Sequence, residues 1–225
     1  MKIDSLTHMR AWRIGAVLAV CAALYTGSPA HAASMPSATA TMPPKPTAAE
    51  AAFVGAVARQ LQAKYPTDQA ALKAGYYRTT RLEPDGTIIY FNNAWNPSKL
   101  QPNFLWYDKN GKLVGLDYQY LVSAYPKPPS QDVYPVAASR WTTIDPHIHY
   151  GYQLPDGTIK WKGYKMLPGM HGNTLTEAEL RAAKLLPANA KLQWTYVHPK
   201  SWDLGFWLVP NPNGAFADRN PNVKP

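Results

Sequence analysis

Three turn signals, each set between two short apolar segments, constrain the fold of this chain more than any other feature of its sequence. They are Pro84-Asp85-Gly86, Lys109-Asn110-Gly111 and Pro155-Asp156-Gly157. Proline presets one backbone dihedral of a turn and glycine adopts the positive φ, whereas Asn-Gly favours a tight connection between antiparallel strands. The chain is therefore predicted to form three β-hairpins, which makes an antiparallel sheet the centre of its fold.

The segments that flank these turns, and two later ones, have the residue pattern of strands. Strands are predicted over residues 76–82, 87–92, 104–108, 112–122, 147–154, 158–164, 191–197 and 205–209. In the segment 112–122, apolar and polar side chains alternate, which is the period of a strand with one buried face. The apolar face carries Leu116, Tyr118, Tyr120 and Val122, and the polar face carries Asp117 and Gln119.

A capping box, in which Thr is followed three residues later by Glu, predicts the start of an N-terminal helix. The box consists of Thr47 and Glu50, and the helix is predicted to end at Lys64, ahead of Pro66. A shorter helix is predicted to follow over residues 68–73. Both helices therefore precede the first predicted strand.

A second capping box, Thr176 and Glu179, predicts a late helix that continues through Lys184 and ends at Pro187. The fold class predicted from all these elements is α+β, with an antiparallel sheet of hairpins and with the N-terminal helix and the late helix packed on it. Residues 47–225 are predicted to form one domain, because a chain of this length, rich in Trp and Tyr, can supply a single core.

The N-terminus has the three parts of a secretory signal peptide. A basic start is followed by an apolar stretch over residues 14–25, too short for a membrane span, and by the cleavage sequence Ala30-His31-Ala32. Residues 1–32 are therefore predicted to be removed, and residues 33–46, rich in Pro and Ala, to form a linker. We expect a periplasmic or secreted protein with no transmembrane segment after cleavage of the signal.

The composition of the mature chain excludes several functional classes. The single cysteine, Cys21, lies in the signal, so the mature protein is predicted to be free of disulfides and of thiolate metal sites. Without the three basic residues and one acidic residue of the signal, 20 Lys and Arg and 13 Asp and Glu remain, a net charge near +7. The basic residues are scattered and no nucleic-acid-binding motif is present, so nucleic acid is not predicted as a partner.

Two segments resemble a family of uncharacterised secreted bacterial proteins. The first is Leu105-Trp106-Tyr107-Asp108 with Gly111-Lys112-Leu113-Val114-Gly115-Leu116-Asp117-Tyr118, and the second combines Trp207 with Asn211-Pro212-Asn213-Gly214-Ala215-Phe216-Ala217-Asp218 and Asn220-Pro221. The resemblance covers about residues 80–222 and implies the same compartment and domain, but no activity. Members of the family often carry a His two residues before the late Trp, where this chain has Gly205, which removes one candidate metal ligand.

The histidines are the most informative group for chemistry, and four remain in the mature chain. His147 and His149 are two residues apart in a predicted strand, so they point to one face with Cα atoms about 6–7 Å apart, and both imidazoles can reach one ion. Neutral imidazole suits zinc and copper, and Asp145 could add a carboxylate. We therefore predict a divalent-metal site that uses His147 and His149, with His171 and His198 as further candidate ligands. The alternative is a structural role for these histidines.

The aromatic residues suggest a different function. Trp141, Tyr150, Tyr152 and Trp161 surround the histidine hairpin and could form a platform for a flat envelope or extracellular ligand, although the same residues could equally form the core. No Gly-x-Ser-x-Gly motif is present and the mature chain has no cysteine nucleophile, so a non-enzymatic function is preferred and no catalytic residue is assigned. A subunit that binds another envelope protein is the third alternative.

Overall fold

The computed structural model describes residues 44–168, 170 and 175–225. The predicted signal peptide, residues 33–43 of the predicted linker and His171 lie outside these ranges. No helix in the described part of the chain is long and apolar enough to cross a membrane.

Helix α1, Ala48–Lys64, has the bounds that the sequence predicts. The Thr47 hydroxyl accepts a hydrogen bond from the Glu50 amide at 3.2 Å, and the Glu50 carboxylate accepts one from the Thr47 amide at 2.8 Å, so both halves of the capping box are present. The helix ends just before Pro66, which cannot continue it. Its apolar face, with Phe53 and Leu61 buried, packs on a sheet.

Two shorter helices, α2 Asp68–Lys73 and α3 Glu177–Ala182, complete the helical part. Their N-caps are Thr67 and Thr176, whose hydroxyls accept hydrogen bonds from first-turn amides, as the second capping box predicts. The predicted continuation of the late helix through Lys184 is wrong. Lys184 has φ of 57°, a left-handed conformation that terminates a right-handed helix.

The strands form two antiparallel sheets. In chain order they are β1 Tyr77–Arg78, β2 Ile88–Phe91, β3 Phe104–Tyr107, β4 Leu113–Leu121, β5 Thr142–Ile144, β6 His147–Gln153, β7 Ile159–Lys165, β8 Lys191–His198 and β9 Ser201–Trp207. The larger sheet has the strand order β1-β2-β3-β4-β9-β5, and the smaller sheet has the order β7-β6-β8. The three predicted hairpins are confirmed by the pairs β1 with β2, β3 with β4, and β6 with β7, and the fold class is α+β.

The two Pro-Asp-Gly turns use the same chemistry. Gly86 and Gly157 have φ of 86° and 84°, which a residue with a side chain rarely adopts. In each turn the aspartate side chain accepts a hydrogen bond from the amide two residues later, at 3.0 Å in the first and 2.9 Å in the second. The local sequence therefore fixes both turns by itself.

Some strand bounds differ from the prediction. Strand β1 has two residues rather than the seven predicted, because the Thr80 hydroxyl, and not its backbone, accepts the hydrogen bond of the Ile89 amide. Strand β9 begins at Ser201 rather than at residue 205. Strand β5 was not predicted, because a strand of three residues is too short to show an alternating pattern.

Two proline-containing crossings connect the sheets. Asp145-Pro146 separates β5 from β6, and Pro199-Lys200 separates β8 from β9. Proline has no N–H to donate to a strand ladder. At both places the chain therefore leaves one sheet and enters the other. The first sheet packs on α1 and the second on α3, and the opposite faces of the two sheets point towards each other.

Candidate functional site

A pocket of about 480 Å³ lies between the two sheets, which we call the inter-sheet pocket. Its volume is within the range of small-molecule sites, about 300–1,000 Å³. The larger sheet contributes Phe104, Asp117 and Gln119, and the segment at β1 contributes Tyr77 and Arg78. The smaller sheet contributes the remaining walls, one of histidines and one of tryptophans.

The histidine wall consists of His147, His149 and His198. His147 on β6 lies directly opposite His198 on β8, and their rings are stacked with centroids 4.5 Å apart and planes 14° apart. The rings of His147 and His149 have centroids 4.7 Å apart. The structure therefore brings together three of the predicted metal ligands. The spacing in the sequence indicates only the His147–His149 pair, because the third member depends on the pairing register of β6 with β8.

Two hydrogen bonds orient the rings of this wall. His147 Nδ1 donates to the Asp145 carbonyl oxygen at 2.8 Å, and His198 Nε2 donates to the Gln119 side-chain oxygen at 2.9 Å. Both partners are oxygens that accept, so in each neutral ring the other nitrogen carries a lone pair. His198 Nδ1 is buried and has no hydrogen-bond partner within the part of the chain that the structure describes.

Burial keeps two of these imidazoles uncharged. Removal from water lowers the pKa of His149 to about 4 and that of His198 to about 3, and the nearby His147 acts in the same direction. Both rings are therefore neutral at pH 7 and present one donor and one acceptor each.

The arrangement of the histidine wall is not that of a preformed metal site. Among the residues described, no group of three or more His, Cys, Asp or Glu side chains is placed to hold an ion. The nitrogen lone pairs lie in the ring planes, and the planes of His147 and His198 are nearly parallel, so these lone pairs do not converge on one point. The Asp145 side chain is 85% exposed and lies 3.7 Å from Lys200 Nζ, so it does not join the wall as the sequence suggests.

The tryptophan wall consists of Trp161 on β7 and Trp194 on β8, with ring centroids 5.0 Å apart. Gly151 on β6 pairs with both residues, one on each side. A Cβ atom at Gly151 would lie 2.2 Å from the indole nitrogen of Trp194, so only glycine leaves room for this indole. The Arg78 guanidinium lies 6.0 Å from the Trp161 ring centroid, at the mouth of the pocket.

Of the four predicted ligand-binding aromatics, the structure places one in the pocket. Trp161 lines it, whereas Tyr150 and Tyr152 lie on the opposite face of β6, buried in the core next to α3. They alternate with His147 and His149, and neighbouring residues of a strand point to opposite faces. Trp141 is buried in the other core.

The floor of the pocket is acidic and buried, which the sequence does not indicate. The alternation in β4 predicts a polar, exposed face for Asp117 and Gln119, but these residues are 8% and 3% exposed because the smaller sheet covers that face. Asp117 accepts a hydrogen bond from the Trp106 indole at 2.7 Å. A Cβ atom at Gly205 would lie 2.5 Å from Asp117 Oδ1, so this strand position accommodates the carboxylate only as glycine.

Asp203 on β9 is the second acidic residue of this region. Burial raises the pKa of Asp203 to about 7. A hydrogen bond with Gln119 acts in the opposite direction but is the smaller effect. Burial, and next the charge of Asp203, raise the pKa of Asp117 well above its usual value. Both carboxyl groups therefore hold a proton to higher pH than an exposed aspartate does.

Comparison with protein-family models, with curated proteins and with solved structures finds no match to this chain.

Proposed function

We propose that the protein binds a small, planar aromatic molecule in the inter-sheet pocket. The observation that carries the proposal is the tryptophan wall, which faces an open space of about 480 Å³ next to Phe104 and Tyr77. Concave sites lined by aromatic side chains with a few polar groups are the usual form of small-molecule sites. Flat rings gain about 0.5–1.5 kcal/mol from each favourable aromatic contact beyond the apolar area that they bury.

The pocket also contains residues that are less favourable for stability than the residues of an ordinary packed core. Gly151 is needed so that Trp194 can lie across the sheet, and Asp117 and Gln119 are buried on a face where apolar residues would be more stable. Binding sites commonly contain such locally unfavourable choices. These features support a ligand in this space rather than a filled core.

We expect Trp161→Ala to weaken the binding of 2-naphthol, a planar aromatic probe, by about tenfold or more. The substitution removes one of the two indoles from the tryptophan wall but leaves Trp194 and Gly151 in place. Isothermal titration calorimetry at about pH 7.5 measures the dissociation constant.

Tyr164→Ala is the matched control for this titration. Tyr164 is an exposed aromatic residue of the same strand that does not line the pocket. Its substitution should leave the dissociation constant within about twofold, because it removes no contact with the probe. An equal loss in both variants, or no binding of 2-naphthol by the unchanged protein, would contradict the proposal.

A second candidate function is divalent-metal binding at the histidine wall. The favouring observation is that His147 and His198 each donate one ring N–H to an oxygen, because metal-binding histidines are usually oriented by such a bond. The stacked rings would have to rotate for their lone pairs to meet at an ion, and His171 is a further candidate ligand. Zinc or copper suits imidazole.

Elemental analysis of the purified protein tests the metal proposal. If the site holds zinc or copper, the unchanged protein contains about one ion per chain, and His147→Ala/His149→Ala loses it because two ligands are removed. Titration with each metal alone should give the same difference between the two proteins. Absence of metal and of affinity in the unchanged protein would exclude this function.

A further inference from the structure

The hydrogen bonds of the histidine wall leave an acceptor open on His147. His147 uses Nδ1 to donate to the Asp145 carbonyl, and His198 uses Nε2 to donate to Gln119, so the lone pairs of His147 Nε2 and His198 Nδ1 remain. A buried acceptor without a partner is costly, by about the strength of a lost hydrogen bond. His198 Nδ1 is enclosed by protein atoms and carries this cost in the structure, whereas the half-buried His147 lines the pocket and presents its Nε2 lone pair to a ligand.

Two of the five hydroxyl groups that line the pocket donate to backbone carbonyls. Thr79 donates to the Ile89 carbonyl at 3.0 Å, and Thr195 donates to the Leu175 carbonyl at 3.1 Å. The Tyr196 hydroxyl is buried without a partner in the described residues and can act as donor or acceptor. The lining therefore offers both donors and acceptors, and a hydroxyl group, which donates and accepts, can pair with either kind.

The interior of the pocket also disfavours a charged ligand. Arg78 is the single Lys or Arg among the residues described around the pocket, and it lies at the mouth, where its Nε donates to the Thr80 carbonyl at 2.6 Å. The other polar groups of the interior are imidazole, indole, amide, hydroxyl and a buried carboxyl. An ion at that depth would lose its hydration without gaining an opposite charge.

We propose that the ligand of the inter-sheet pocket is an uncharged phenol, whose hydroxyl group donates a hydrogen bond to the open Nε2 of His147. The inference rests on the proposed function and narrows its ligand class. A phenol is neutral at pH 7, since its pKa is about 10. Its ring has the shape that the tryptophan wall accommodates, and its hydroxyl group carries a donor for His147 Nε2.

The test compares 2-naphthol with 2-methoxynaphthalene by calorimetry at about pH 7.5. The two probes share one ring system, but the methyl ether has no donor. We expect 2-naphthol to bind at least about tenfold more tightly, because the ether leaves His147 Nε2 unpaired.

Two variants separate the two walls. His147→Phe keeps a flat ring that can stack on His198 but removes a nitrogen acceptor, so the preference for 2-naphthol should fall by about threefold or more. Trp161→Ala should weaken both probes by a similar factor and leave the preference unchanged. Thermal unfolding confirms that each variant is folded.

The possible results separate the two proposals. Equal affinities for the two probes, or a preference that persists in full in His147→Phe, would overturn the phenol inference and leave the aromatic site intact. Failure of both probes to bind would overturn the site itself. A preference that is lost in His147→Phe and kept in Trp161→Ala would establish the inference.

Discussion

Replacing Glu50 with Gln is expected to lower the free energy of unfolding by about 3–5 kcal/mol at pH 7. Glu50 is 2% exposed, and its two carboxylate oxygens accept hydrogen bonds from Arg140 Nε and Nη2, each at 3.0 Å. The same carboxylate accepts from the Ala137 and Thr47 amides, so it connects α1 to a distant loop. The neutral amide would leave the buried Arg140 guanidinium without its counter-charge.

The effect should depend on pH with a definite sign. The hydrogen bonds from Arg140 hold the pKa of Glu50 at about 2, below its usual 4.5, although burial acts in the opposite direction. A carboxylate with a lowered folded-state pKa contributes stability above its unfolded pKa and loses it as the pH falls. The difference between the unchanged protein and Glu50→Gln should therefore be full above about pH 5.5 and decrease between about pH 4.5 and pH 2.

Glu177→Gln is the matched control, measured by urea unfolding in the same buffers. Glu177 forms an ion pair of 2.6 Å with Arg181, four residues later on α3, but both side chains are exposed. Exposed pairs contribute little, so this substitution should cost less than about 1 kcal/mol. If the two substitutions have equal effects, the Glu50–Arg140 pair does not have the anchoring role that its burial indicates.

Replacing Asp203 with Asn is expected to raise the free energy of unfolding by about 2 to 4 kcal/mol at pH 8. Burial raises the pKa of Asp203 from its usual 3.8 to about 7, so the folded protein binds this proton more tightly than the unfolded chain. One pKa unit corresponds to about 1.4 kcal/mol. At pH 8 the carboxyl group of Asp203 is mostly charged, and this buried charge destabilises the folded protein. The neutral amide of Asn carries no such charge.

The sign of the pH dependence follows from the raised pKa. The contribution of Asp203 to the free energy of unfolding is most favourable below about pH 4. It decreases as the pH rises towards 7 and is constant above that. Urea unfolding from pH 4 to pH 8 should show that Asp203→Asn and the unchanged protein have similar stability at pH 4 and diverge at higher pH. Asp132→Asn, the same change on an exposed side chain, controls for the substitution itself. A difference that is constant across this range would contradict the prediction.

The candidate site was only partly predictable. His147 and His149 share a face because of their spacing, which the sequence displays. Their meeting with His198 depends on the register of β6 with β8, a contact across about 50 residues of chain. Trp161 was correctly associated with this region, whereas its partner Trp194 was not, because only the two pairings of Gly151 place the indoles side by side.

The sequence by itself determined the elements whose stabilising contacts lie within a few residues. The Thr47 and Thr176 capping boxes, the Pro-Asp-Gly turns and the hairpins are of this kind, since each forms its hydrogen bonds locally. These elements were sufficient for the α+β class.

Only the tertiary structure decided which strand faces are buried. The alternation of β4 is the same whether its polar face meets water or a second sheet, so Asp117 and Gln119 could be read as exposed. The bends at Pro146 and Pro199 fold the smaller sheet over that face, which buries the acidic floor and encloses the pocket. Burial depends on what packs from elsewhere in the chain, and the local pattern carries no information about that partner.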